Sequence, residues 1–196
     1  MQQFEPLDVY NVALKRAREI NPGFELDDDV KPIFKKLSLY FANSPEFEGS
    51  LDKGILLVGN TGAGKTHLMK SFLENPKGRM RMVSTGDVCN RYQTGGVESI
   101  NEYFGGRYGL GHIYVMATVF DDLGAEETNL KYMGSPLNPM EKVVLSRYDN
   151  GQPFWKTHFT TNLTGDEIEK MYGSRVRSRL REMCNHIVLP GKDRRK

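Results

Sequence analysis

Cysteine is nearly missing from this sequence: 196 residues contain two, Cys89 and Cys184, far apart. A fold stapled by disulfides is excluded, and the usage fits a reducing compartment, so the cytoplasm is the expected location. No run of eighteen apolar residues occurs, which excludes a membrane-spanning helix. The opening residues, MQQFEPLDVYNV, have no basic start followed by an apolar stretch and do not read as a secretory signal. The four histidines, His67, His112, His158 and His186, fall in no HExxH- or CxxC-type spacing, so a metal centre of protein ligands alone is not expected. Low-complexity stretches and internal repeats are also missing.

What is present is ordinary globular composition: 38% hydrophobic residues plus 20 glycines, in a length suited to one domain with a short extension. Net charge is only +2, but it is unevenly spread. Residues 175–196 hold eight basic and two acidic side chains, whereas the first 174 hold nineteen basic and twenty-three acidic. A basic end on a mildly acidic body points to phosphate or nucleic acid as a partner, or to a solvated tail.

The first fifty residues read as a helical extension. One helix is expected over Leu7–Ile20, closed by Asn21-Pro22-Gly23. A second starts at the Asp27-Asp28-Asp29 cluster, where acids suit a helix N-terminus. Its apolar face is Ile33, Phe34, Leu37, Tyr40 and Phe41. From residue 51 to 196 the pattern changes to strands alternating with helices. Strands are expected at 54–59, 80–83, 113–120, 154–160 and 186–189, and helices at 65–74, 87–103, 138–148 and 166–183. Gly95-Gly96 interrupts the second of these helices. Such alternation implies an α/β fold with a five-stranded parallel sheet flanked by helices.

Residues 59–66 read GNTGAGKT, which fits GxxxxGK[ST] after an apolar strand and before a helix. In such a loop, backbone N–H groups of Asn60, Thr61, Gly62, Ala63 and Gly64 turn inward on phosphate oxygens, aided by the helix N-terminus. Lys65 reaches the β- and γ-phosphates, and Thr66 offers its hydroxyl to Mg²⁺. ATP and Mg²⁺ are therefore the expected cofactors. Residues 115–122, VMATVFDD, are an apolar strand followed by two carboxylates. Asp121, at the strand end, is expected to hold Mg²⁺ through water, and Asp122 to orient or deprotonate the attacking water.

GNTGAGKT, VFDDLGAE, FTTNL and YGSRVRSRLREM together resemble the DnaC/IstB-like AAA+ ATPases, over roughly residues 50–190. That family includes helicase loaders and transposition helper ATPases. The resemblance implies a P-loop NTPase of AAA+ type and assembly into dimers or higher oligomers around nucleotide and DNA. It implies that Asn162 is the polar residue called sensor 1. It implies that Arg179 is an arginine finger reaching the γ-phosphate of a neighbouring subunit, with Arg175 one turn earlier able to share the role. The family's helical lid has no counterpart after Leu189. Arg194 and Arg195 are candidates to supply a similar charge. The biological role implied is loading of a replicative helicase onto DNA, with transposition help as the alternative.

Other readings remain. A monomeric small-molecule kinase would use the same loop, and a non-catalytic scaffold gated by nucleotide would use the same motifs. Arg91-Tyr92-Gln93 and Tyr103–Tyr108 mix aromatics with cations, a composition that could stack the bases of single-stranded DNA. The connection 124–139 follows the carboxylate strand and could sense nucleotide state. Gly23-Phe24 is a candidate to read the adenine. Trp155 is expected in the fourth strand as a packing residue.

Overall fold

The structure is a computed structural model that describes residues 4–105, 116–191 and 193–194. Two helices come first. α1, Pro6–Ile20, has proline in its first turn and buries Val9, Ala13 and Ala17, spaced four apart on one face. α2, Val30–Phe41, buries Phe34, Leu37 and Phe41 on one stripe. Its start is fixed by the Asp27 carboxylate, which accepts from the Asp29 and Val30 amides at 3.1 and 2.9 Å.

The alternating part follows as β1 Gly54–Val58, α3 Lys65–Ser71, β2 Met80–Ser84, α4 Thr85–Gly95 and a 3₁₀ turn over Val97–Tyr103. Then come β3 Ala117–Leu123, β4 Leu130–Tyr132, β5 Ser135–Leu137, α5 Pro139–Asp149, β6 Thr157–Thr161, α6 Gly165–Met183 and β7 Cys184–Val188. α6 opens with a capping box between Thr164 and Glu167 and breaks at Gly173, whose φ of 88° no ordinary side chain favours.

Five strands pair in the order β2-β3-β6-β1-β7, all parallel. Strand residues alternate between two cores. Ile55, Leu57 and Val119 face α1, α2 and α3, while Leu56, Phe120 and Phe159 face α4, α5 and α6. Helices thus cover both faces, and the carboxyl ends of β1, β3 and β6 lie side by side, where open α/β sheets bind ligands. No helix among the described residues is long and apolar enough to cross a membrane.

Three expectations are corrected. The third strand begins at Ala117 and runs through both carboxylates to Leu123, with a register shift between Phe120 and Leu123. Residues 113–115 of the expected strand lie outside the described residues, as does His112. Trp155 sits in a 3₁₀ turn, Phe154–Lys156, and the strand starts only at Thr157. The connection after β3 is not plain loop: β4 and β5 form an antiparallel hairpin. Leu130 is buried, and Tyr132 packs directly against Gly96, leaving no room there for a Cβ.

One core group makes stability depend on pH. His158 is fully buried in β6, and its Nδ1 accepts the Ile55 amide at 3.1 Å. Burial, then the nearby Lys77 charge, pushes its pKa down to about 3. Above the ordinary value of 6.5 both folded and unfolded chains hold it neutral. Below 6.5 only the unfolded chain takes the proton, so stability falls by up to about 1.4 kcal/mol per pH unit until near pH 3. His67 and His186, both lowered by burial, act in the same direction. In urea titrations from pH 7.5 to 4.5, His158→Asn, which keeps an acceptor, is expected to be less stable at neutral pH and to show a shallower acid limb. An unchanged acid slope would remove His158 from this account.

Candidate active site

The loop between β1 and α3 needs its glycines at two places: Gly62 and Gly64 have φ of 78° and 93°. Lys65, 6% exposed, donates from Nζ to the carbonyls of Gly59 and Asn60 at 2.7 and 3.0 Å. The ammonium is therefore held at the centre of the loop. The next residue, Thr66, donates its hydroxyl to Asp121 Oδ1 at 3.0 Å, across fifty-five positions of sequence. The same oxygen accepts from the Thr160 hydroxyl at 2.7 Å. Thr66 and Asp121 thus form a hard-oxygen pair at the loop, the donor chemistry Mg²⁺ takes together with water and phosphate oxygens. No three His, Cys, Asp or Glu gather into a metal cluster among the described residues, so the remaining ligands of such an ion would be nucleotide and water.

Asp122 is set differently. Its backbone is left-handed, φ 62°, at the β3 register shift, and its side chain is exposed. The amide donates to Thr160 Oγ1 at 2.8 Å, and the carbonyl accepts from Thr85 Oγ1 and the Ala125 amide, both at 3.0 Å. Aspartate is among the few residues that tolerate this conformation. Asn162, just past β6, donates from Nδ2 to Thr61 Oγ1 at 3.2 Å. Loop, Asp121, Asp122 and Asn162 therefore come together at one end of the sheet.

Arg179 is not part of that cluster. It lies in the last turns of α6, near the amino end of β7. Its guanidinium is 3.8 Å from the Tyr148 ring, and Nη1 is 3.5 Å from Glu182 Oε2. Its Nε is buried with no hydrogen-bond partner among the described residues. Arg175 pairs with Asp149 at 3.4 Å, and Arg177 with Asp166 and Glu169. Arg194 lies beside the loop, bonded to Asp27, Asp29 and the Ala63 carbonyl, whereas Arg195 is outside the described residues. The Phe24 ring lies tilted against His67 of α3, 4.7 Å between centroids, next to the loop. In the aromatic segment, Arg81 and Arg91 both pair with Glu102 and lie over the Tyr103 ring, while Gly106, Arg107 and Tyr108 fall outside the described residues.

Several contributors escape sequence reasoning. Thr160 ties the Asp121 carboxylate and the Asp122 amide in place, Thr85 holds the Asp122 peptide, and Glu126 accepts from the Gly124 amide and the Tyr172 hydroxyl, joining the end of β3 to α6. One signal was available for Thr160: a strand reading THFTT is rich in groups that need partners once buried.

No family model matches this sequence, and no curated protein matches it. A solved structure does match. The crystal structure of the DnaC helicase loader aligns with a TM-score of 0.60 at 20% identity, covering 89% of this chain and 99% of that one. The chain shares that structure's fold. The DnaC-like fold accounts for the five-stranded parallel sheet with helices on both faces. The aligned share exceeds what residues 51–196 make up, so the DnaC likeness extends into the helices of the first fifty residues.

Proposed function

We propose that the chain binds ATP with Mg²⁺, hydrolyses it, and acts as an AAA+ ATPase that loads a replicative helicase onto single-stranded DNA. The observation that carries this is the hydrogen bond between Thr66 and Asp121, which joins the two Mg²⁺-type oxygens at the mouth of a phosphate loop. The likeness to the DnaC helicase loader supports the biological role. Asn60 to Thr66 would bind the phosphates, with Lys65 near the β- and γ-oxygens, and Thr66 and Asp121 would hold the ion. Bound Mg²⁺ would neutralise charge on the transferring phosphate. Asp122 would take a proton from water that Asn162 orients. Arg179, remote from its own loop, would act on a neighbouring subunit's nucleotide, so the working form is an oligomer. The helical extension 1–50 and the ATPase core 51–196 are proposed as distinct functional parts, working in the cytoplasm.

ATP hydrolysis per subunit is expected to rise with protein concentration and with single-stranded DNA. Arg179→Ala should cut the stimulated rate on the order of 10³-fold while ATP still binds. Because Arg179 also packs on Tyr148, the thermal midpoint of the variant must be measured beside its rate. Flat activity per subunit, unchanged by the substitution, would instead favour a monomeric kinase.

A further inference from the structure

We propose that Arg194 is a positioning residue of the phosphate loop, strapping it from outside to Asp27 at the start of α2. The inference rests on the reading that this loop holds a nucleotide. The chain after β7 turns back along the loop. The Arg194 amide donates to Gly62 O at 2.9 Å, and its Nη1 donates to Ala63 O at 2.9 Å. The rest of the guanidinium forks onto Asp27, Nε to Oδ2 at 2.8 Å and Nη2 to Oδ1 at 3.1 Å, with Asp29 Oδ2 3.4 Å away. The neighbouring Asp193 carboxylate packs directly on Gly62, so a Cβ there would collide with it.

Two consecutive loop carbonyls are therefore held from one side. No peptide bond among the described residues is cis, and in a trans peptide the carbonyl and the following N–H point opposite ways. Fixing Ala63 O toward Arg194 fixes the Gly64 N–H away from it. That N–H opens α3 and is one of the donors a phosphate would use. Gly62 and Gly64 otherwise leave this stretch free to turn, and ordering it would cost affinity at every binding event.

The anchor is itself fixed, because Asp27 caps α2 with the same carboxylate that receives the arginine. The Arg194 guanidinium in turn holds the Asp27 carboxyl below its ordinary pKa. An isolated surface ion pair would count for little. This one is bidentate, and its Nη1 reaches the Ala63 carbonyl as well, a geometry that lysine cannot reproduce.

The test uses the full chain as wild type, Arg194→Ala, Arg194→Lys, Asp27→Asn and the Asp27→Asn/Arg194→Ala double variant. Asp27→Asn keeps an acceptor for the Val30 amide, so the helix cap survives while the charge is lost. Mg·ATP affinity is read by calorimetric titration, and amide hydrogen exchange of residues 60–66 is read without nucleotide. Arg194→Ala should weaken Mg·ATP by about tenfold or more, with Lys giving little rescue. Asp27→Asn should weaken it too, but add nothing once Arg194 is gone. Both single losses should speed exchange in the loop while the sheet strands stay protected. Unchanged loop exchange overturns the strap whatever the affinities show. An affinity within twofold of wild type for Arg194→Ala overturns it as well. Faster loop exchange in a protein whose wild type binds no nucleotide would uphold the strap and sink the nucleotide reading instead.

Discussion

Replacing Arg147 with methionine is expected to lower the unfolding free energy by about 4 kcal/mol, a large part of what a domain of this size has. Arg147 is 0% exposed and touches no carboxylate among the partners seen. Instead Nε donates to Tyr103 O at 2.7 Å, Nη1 to Lys156 O and Thr157 Oγ1 at 3.1 and 2.9 Å, and Nη2 to Thr118 Oγ1 at 3.1 Å. The guanidinium also lies 4.9 Å from the Phe120 ring. One side chain thus ties α5 to β3, to the start of β6 and to the 3₁₀ turn at Tyr103. Burial, and secondarily the charge of Arg81, pulls its pKa down to about 9, a sign of how costly the desolvated charge is. Methionine fills the stem's volume but leaves four acceptors, three buried and one half-buried, without that donor, each loss costing on the order of 1 kcal/mol. Arg147→Lys reaches fewer of the four and should recover less than half. Urea unfolding at pH 7 with a constant slope reads the difference directly. A loss below about 1 kcal/mol would mean that water replaces the arginine as donor.

Arg147 also shows where sequence reading stops. In the helix pattern of 138–148 nothing distinguishes it from a solvated charge. Its burial follows from four acceptors brought together by the sheet, the nearest in sequence nine positions away. β1 was legible because a parallel strand covered on both faces is a short apolar run, and Gly54–Val58 is such a run, whereas THFTT of β6 is not. The strand order was not legible from those runs alone. The loop and the acidic pair stand out as local motifs, and the fold brings them together through the bond between Thr66 and Asp121. The β3 boundary was not: apolar content drops at Asp121, yet pairing continues because Ser84 of β2 is still in register with Asp121. The hairpin escaped because strands of three residues, one containing Pro136, give no alternation long enough to detect. The contact between Asp27 and Arg194 spans 167 positions, and no local pattern encodes it.

The adjacent carboxylates allow a sharp separation of roles. Asp122→Asn is expected to slow hydrolysis on the order of 10³-fold with ATP affinity nearly unchanged. Asp121→Asn should abolish the Mg²⁺ dependence of nucleotide binding as well. The difference follows from what each side chain touches. Asp121 Oδ1 already shares two hydroxyl donors, Thr66 and Thr160, so its charge faces the pair proposed to hold the ion. Asp122 holds its place through its backbone, by Thr160 on the amide and Thr85 on the carbonyl, and leaves its carboxylate exposed, as the proposed base requires. Asparagine is the right replacement at 122, because it tolerates a φ of 62° and removes only the charge. Alanine would add backbone strain of about 1 kcal/mol and blur the reading. Single-turnover rates and equilibrium nucleotide binding, measured on the same preparations, separate the two effects. If Asp122→Asn hydrolyses at the wild-type rate, Asp122 is not the base. The exposed carboxylate would then serve the turn at the end of β3, and water activation would have to come from another group.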